Sequence, residues 1–155
     1  MDLRKAFFDN MEELTKQDKS VMVLVGDLGF SFFERFAEKY PKQFINAGCA
    51  EQNMILAAEG LALAGKKPYV YSGIIFLLMR PYEQIRNLCY NNLNVKLCGT
   101  GASPFLGFSH NCNPLNEDEL ILKHLPNIQL YYPKTEIELK KILSAKNKSP
   151  EFIRL

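Results

Sequence analysis

Five consecutive apolar residues, Val21-Met22-Val23-Leu24-Val25, run directly into Gly26-Asp27. A strand with one wet face alternates apolar and polar side chains. This run does not alternate, so it predicts a strand covered on both faces, as in a parallel sheet between helices. The rest of the chain reads the same way. Residues 3–17 and 31–39 carry helical spacing, and Pro41 helps to end the second helix. Phe44-Ile45 reads as a short strand and 51–64 as a helix, with Gly65 where a C-terminal cap belongs. Tyr69-Val70-Tyr71 reads as the next strand. Pro81 suits a first helical position, so a helix is expected to start there, leaving residues 73–79 as an apolar approach segment. Residues 94–98 read as a strand entering the loop Gly99-Thr100-Gly101. A helix over 116–123, a strand over 128–132, a helix over 135–145 and a strand over 151–154 complete the pattern. The expectation is an α/β fold with a mostly parallel six-stranded sheet and helices on both faces, forming one domain over 1–155.

Bulk properties narrow the function classes. At 47% hydrophobic and 23% charged residues, the composition is that of an ordinary globular protein. A net charge of +2 gives no electrostatic case for nucleic acid or a membrane surface. The lysines Lys140, Lys141 and Lys148 read as a solvated helix face. The cysteines Cys49, Cys89, Cys98 and Cys112 show no CxxC spacing, and His110 and His124 complete no metal pattern with them. Met1 leads into a charged amphipathic stretch, and the longest apolar run, residues 74–79, falls far short of the ~20 residues that span a bilayer. A reducing cytoplasm with free thiols is the expectation.

The segment Phe44-Ile45-Asn46-Ala47-Gly48-Cys49-Ala50-Glu51 reads as a strand, a tight turn and a helix that opens on a carboxylate. That places Glu51 at the C-terminal end of a strand, where open α/β sheets bind ligands. A glutamate in a first helical turn is also an ordinary complement to the helix dipole. Asp27 is either a turn residue or a strand-end ligand contact. Gly99-Thr100-Gly101 could cradle a phosphate but lacks the GxGxxG or Walker spacing, and a plain turn reads as well. His110 lies in a loop rich in Asn, Gly and Pro, as a substrate ligand or an exposed side chain. Phe76 reads as a core residue, and Cys49 as a small or buried one near a helix start.

Taken together, several segments resemble the pyrimidine-binding domain of transketolases. They are Gly26-Asp27-Leu28-Gly29, the run from Phe44 through Glu51-Gln52-Asn53-Met54, and Ala57-Ala58-Glu59-Gly60-Leu61-Ala62. Lys67-Pro68-Tyr69-Val70-Tyr71-Ser72, Glu83-Gln84-Ile85-Arg86, Asn94-Val95-Lys96, and Glu117-Asp118 with Leu125-Pro126-Asn127 continue the likeness. It covers nearly the whole chain and is nearest to the C-terminal halves of two-chain transketolases. The resemblance implies thiamine diphosphate chemistry and transfer of a two-carbon ketol unit between sugars. It implies that Glu51 hydrogen-bonds the pyrimidine ring nitrogen, promoting the tautomer that takes the thiazolium proton. Phe76 matches the aromatic residue that packs on the aminopyrimidine face, and Tyr82 a second aromatic position near that ring. Asp27 joins the cofactor-binding set, and His110 the substrate-binding one. Arg80 and Arg86 read as helix-end and structural residues.

Departures from the family pattern accompany the likeness. Gly73 stands where a second phenylalanine is common. Gly101 stands where a histidine follows Gly-Thr, and the acidic run beyond it is absent. Ser109-His110 matches the family's Ser-His pair only with a shifted loop; ungapped counting from Glu117 puts Asn113 there. No Gly-Asp-Gly with an Asn-rich segment is present, which in this family binds the diphosphate and its Mg2+. The implied partner is therefore a separate diphosphate-binding subunit in a heterotetramer, with the cofactor at the interface. Metal ligands are expected on that partner and none on this chain. Two other readings stay open: a subunit of a thiamine diphosphate-dependent 2-oxo acid decarboxylase, and a non-catalytic remnant.

Overall fold

The computed structural model describes residues 3–101 and 116–155. Its elements run α1 (Leu3–Gln17), β1 (Val21–Val25), α2 (Phe33–Lys39), a 3-10 turn (Pro41–Gln43), β2 (Phe44–Asn46), α3 (Glu51–Leu63), β3 (Lys67–Gly73) and α4 (Ile74–Met79). They continue with α5 (Tyr82–Tyr90), β4 (Lys96–Thr100), α6 (Glu117–Leu122), β5 (Gln129–Tyr131), α7 (Glu136–Ser144) and β6 (Glu151–Arg154). The six strands form one sheet in the order β2-β1-β3-β4-β6-β5, and every pairing is parallel.

The two-sided burial predicted for β1 is the organising fact of the core. All five of its residues are buried. Successive side chains of a strand point to opposite faces, so β1 feeds two separate cores. Val21, Val23 and Val25 join Tyr69, Tyr71, Cys98 and Ile153 beneath Phe7, Met11, Phe36 and Leu139 of α1, α2 and α7. Met22 and Leu24 join Val70, Leu97 and Phe152 on the other face, under Met54 and Ile55 of α3 and residues of α4, α5 and α6. Helix α3 closes as expected at Gly65, whose φ is +77°. The Gly65 N–H donates to the Ala62 carbonyl and the Lys66 N–H to the Leu61 carbonyl, a Schellman cap.

Three expectations about local structure are corrected. Residues 73–79 are not an irregular approach segment. Strand β3 continues to Gly73 because Ser72 and Gly73 pair with Gly99 and Thr100 of β4. Ile74, Leu77 and Leu78 are then buried at helical spacing, and they make α4 a helix in its own right. Gly99 and Thr100 therefore belong to β4 and not to a phosphate-binding loop. A Cβ on Gly99 would lie 2.8 Å from Ile74 Cγ1 and 3.0 Å from Phe152 Cε2, so this glycine serves close packing. Pro81 caps α5 from outside, one residue before the position expected for it.

Buried polar contacts tie the far strands together. Lys96 and Glu151, register partners on β4 and β6, form a buried ion pair at 2.5 Å. Arg154 of β6 donates to both carboxylate oxygens of Asp118, at 2.7 and 2.8 Å, and so anchors α6 to the sheet.

Candidate functional site

The chain leaves β1 toward β2 on one side and leaves β3 toward β4 on the other, so the loops after the neighbouring strands β1 and β3 diverge at the switch point where α/β sheets bind ligands. Asn46, the last residue of the edge strand β2, joins the turns that follow β1 and β2. Its Oδ1 accepts from the Asp27 N–H (3.2 Å) and the Gly48 N–H (3.0 Å), and its Nδ2 donates to Asp27 Oδ1 (3.1 Å). Asp27 sits at φ +51° and Gly48 at +67°, so both turns use the left-handed region. Asp27 is thus braced at the strand end, with one carboxylate oxygen already engaged. Asn46 has no assigned role in the sequence reading. An amide at the end of the Phe44-Ile45-Asn46 strand, two residues before a glycine, was the signal available for it.

The turn delivers Glu51 as the first residue of α3. No side chain caps this helix, and Ala50 occupies the cap position. The side chain of Glu51 is 4% exposed. Burying a carboxylate is costly unless it is paired, and two features offset the cost. The N-terminal dipole of α3 favours negative charge, and Arg80 Nη1 donates to Glu51 Oε1 at 2.7 Å. Arg80 follows α4, 29 residues along the chain, and its carbonyl accepts from Gln52 Nε2 at 3.3 Å. The Arg80 guanidinium carbon lies 4.2 Å from the centroid of the Phe76 ring. The fold therefore gathers Glu51, Arg80 and Phe76 at one point. Cys49, Ala50, Glu51, Gln52, Asn53 and Arg80 line a cavity of about 290 Å³ there.

Gly73 explains the ring's position. A Cβ at Gly73 would lie 3.1 Å from Phe76 Cδ2, so the half-buried Phe76 side chain packs directly over a bare backbone. Tyr82 is half-buried, and its hydroxyl donates to the Ile121 carbonyl of α6 at 3.2 Å. Arg86 lies over the Tyr90 ring on α5, 4.6 Å from its centroid. His110 lies outside the described residues. A larger hollow, about 410 Å³, opens at the opposite end of the sheet. Its Lys67 and Lys96 are already paired with Asp18 and Glu151, so the strand C-termini hold the better candidate. Among the described residues no group of three or more His, Cys, Asp or Glu could hold a metal ion. Among them, too, no helix is long and apolar enough to cross a membrane.

Residues 1–155 match the family described as the transketolase pyrimidine binding domain. The chain belongs to this family. The pyrimidine domain is 36% identical over 157 residues to a putative transketolase C-terminal section from Methanocaldococcus jannaschii, covering 99% of this chain and 50% of that protein. It is 30% identical over 150 residues to one of the subunits of an apulose-4-phosphate transketolase from Phocaeicola vulgatus, covering 96% of this chain and 48% of that one. Among solved structures it superposes on a split-gene transketolase described as an inactive beta4 tetramer, with a TM-score of 0.84 and 32% identity. That superposition covers 98% of this chain and 50% of the other. The chain thus spans about half the length of the curated relatives it matches. The six-stranded α/β fold expected from the sequence as mostly parallel is found, with every strand pairing parallel.

Family membership implies thiamine diphosphate dependence, and the site fits the pyrimidine end of that cofactor. A carboxylate 4% exposed at a helix start can share a proton with a ring nitrogen. The Phe76 ring already receives a planar cationic group on its face, so it can take a planar heterocycle there.

The thiols differ sharply. Burial pushes Cys89 up to about 12 and raises Cys98 as well, while Cys49 is exposed at the cavity. Thiolates are the reactive form. In a Cys112→Ser background, a disulfide reagent at pH 8 is therefore expected to titrate one fast thiol, which Cys49→Ser removes. Rapid labelling of Cys89 or Cys98 in the folded chain would contradict this assignment.

Proposed function

We propose that this chain is the pyrimidine-binding subunit of a thiamine diphosphate-dependent, transketolase-like enzyme that transfers a two-carbon ketol unit between sugars. The observation that carries the reading is the buried carboxylate of Glu51, set at the start of α3 in the switch-point crevice beside Phe76. When bound, the cofactor supplies the nucleophilic carbon that accepts and passes on the ketol unit. The chain's own residues hold and orient it. Glu51 keeps a proton at the pyrimidine nitrogen, Phe76 fixes the plane of the ring, and the Asn46–Asp27 brace holds the two turns that frame the crevice. Tyr82 belongs with this group through its place on α5, which packs against α4. His110 would contribute from the sugar side.

The described residues offer groups for the pyrimidine and no cluster for a metal-bound diphosphate. A second chain carrying the diphosphate-binding domain, together with Mg2+, would complete the site, in a cytoplasmic heterotetramer. The naming of one relative as a subunit and the split-gene origin of the superposed structure support a two-chain arrangement. Calorimetry tests the half-site directly. Thiamine diphosphate with magnesium titrated into this chain alone is expected to show weak or no binding. Adding the co-purified chain that carries a diphosphate-binding domain restores it. Tight, magnesium-dependent binding by this chain alone would refute the half-site.

A further inference from the structure

Arg80 makes, within its own chain, the two contacts that the proposed site would make to an aminopyrimidine. Its guanidinium donates to Glu51 Oε1 at 2.7 Å, and its central carbon stands 4.2 Å from the Phe76 ring centroid. The two groups share what the site reads: planarity, a face that stacks on an aromatic ring, and an in-plane nitrogen that shares a proton with a carboxylate. Both contacts come from one side chain, so the guanidinium lies in the space between Glu51 and Phe76. The backbone of Arg80 is held separately, through its carbonyl and Gln52. The side chain is 46% exposed, so it has room to swing outward without disturbing α4.

The geometry points to Arg80 as an internal competitor for the pyrimidine: a residue that stabilises buried Glu51 by occupying the ring's place and must leave it when the ring binds. This rests on the reading of Glu51 and Phe76 as the pyrimidine site. Arg80 then sets the affinity of the site and takes no part in the chemistry. A pyrimidine pays for breaking the Arg80–Glu51 pair before it gains its own contacts. Removing the guanidinium leaves Glu51 buried without its partner, which raises the free energy of the ligand-free chain and favours binding. The alternative geometry is that Arg80 keeps Glu51 Oε1 while the ring uses the second oxygen. In that case Arg80 supports binding, and its loss weakens it. The two geometries differ in sign.

The test uses the full chain and the probe 4-amino-2,5-dimethylpyrimidine, followed by NMR on the Arg80 Nε–H resonance and on backbone amides of α3. Arg80→Ala is expected to bind the probe about tenfold more tightly than the parent chain. Arg80→Lys, which keeps the charge without the planar fork, should fall between the two. In the parent chain the Arg80 Nε–H resonance should move toward its solvent-exposed position as the probe binds, a signature that a merely structural arginine would not give. Equal or weaker binding by Arg80→Ala overturns the inference, as does an Arg80 resonance that stays fixed at saturation. Failure of Arg80→Ala to bind the probe at all also overturns it. Glu51→Gln and Phe76→Ala separate the two levels. If both leave probe binding unchanged, the pyrimidine-site reading itself has failed. If either weakens it while Arg80→Ala does not tighten it, only the role of Arg80 is lost.

Discussion

Glu51→Gln is expected to lower turnover of the reconstituted two-chain enzyme by about 10²–10⁴, the usual scale for a positioned proton-transfer group. That corresponds to about 3–5 kcal/mol of lost transition-state stabilisation. The substitution preserves shape, and the Gln side-chain oxygen can still accept from Arg80, so the fold should survive nearly unchanged. What it removes is a group that can hold a proton against a ring nitrogen and release it. The direct measurement is hydrogen–deuterium exchange at the thiazolium carbon in the complex, which reads proton removal without any sugar present. Exchange in the variant as fast as in the parent would rule out the proposed role, whatever the effect on turnover. The helix dipole alone, worth about 0.3–1 kcal/mol, cannot account for a loss of the predicted size. The experiment therefore separates the two roles that the sequence leaves open for this glutamate.

The second large effect lies in the sheet. Glu151→Leu should destabilise the chain by about 3–5 kcal/mol in urea unfolding, because it strands the Lys96 ammonium in the interior. Lys96 is 6% exposed and Glu151 wholly buried, and the two are paired at 2.5 Å. The pair is imperfectly satisfied, since among the described residues Glu151 Oε1 has no hydrogen-bond partner. The double variant Lys96→Met, Glu151→Leu should therefore recover most of the loss, as replacement of a whole buried pair by apolar groups commonly does. A double variant as unstable as Glu151→Leu alone would show that the damage is a packing defect and not an unpaired charge. This pair lies at the strand end opposite the crevice, so the double variant should leave probe binding at Glu51 untouched.

Much of the architecture was legible because it is written in short-range patterns. The unbroken apolar run of β1 required cover on both faces, and both faces are covered. Gly65 announced the end of α3, and the glycine-bearing turn before Glu51 announced its start. Local signals misled where non-local pairing overrode them. Residues 74–79 are apolar throughout, so periodicity could not distinguish a helix from an extended segment, and the β3–β4 ladder settled where the strand stops. Gly99 reads as part of a loop because glycine is rare inside strands, and its place in β4 follows from the approach of Ile74 and Phe152 from other elements.

The chain's sequence by itself determined the alternation of elements, the two-faced sheet, and a carboxylate at the start of a helix in a crevice. It also carried the family likeness on which the proposed role of that carboxylate rests. Only the tertiary structure decided that Arg80 would bond Glu51 across 29 residues and lie over Phe76, that Asn46 would brace both crevice turns, and that Lys96 would meet Glu151. The physical reason is the same in each case. Burial on both sheet faces fixes strand order and register, because a slip of one residue would turn every side chain to the wrong face. Once register is fixed, groups far apart in sequence meet at set distances that no local pattern encodes.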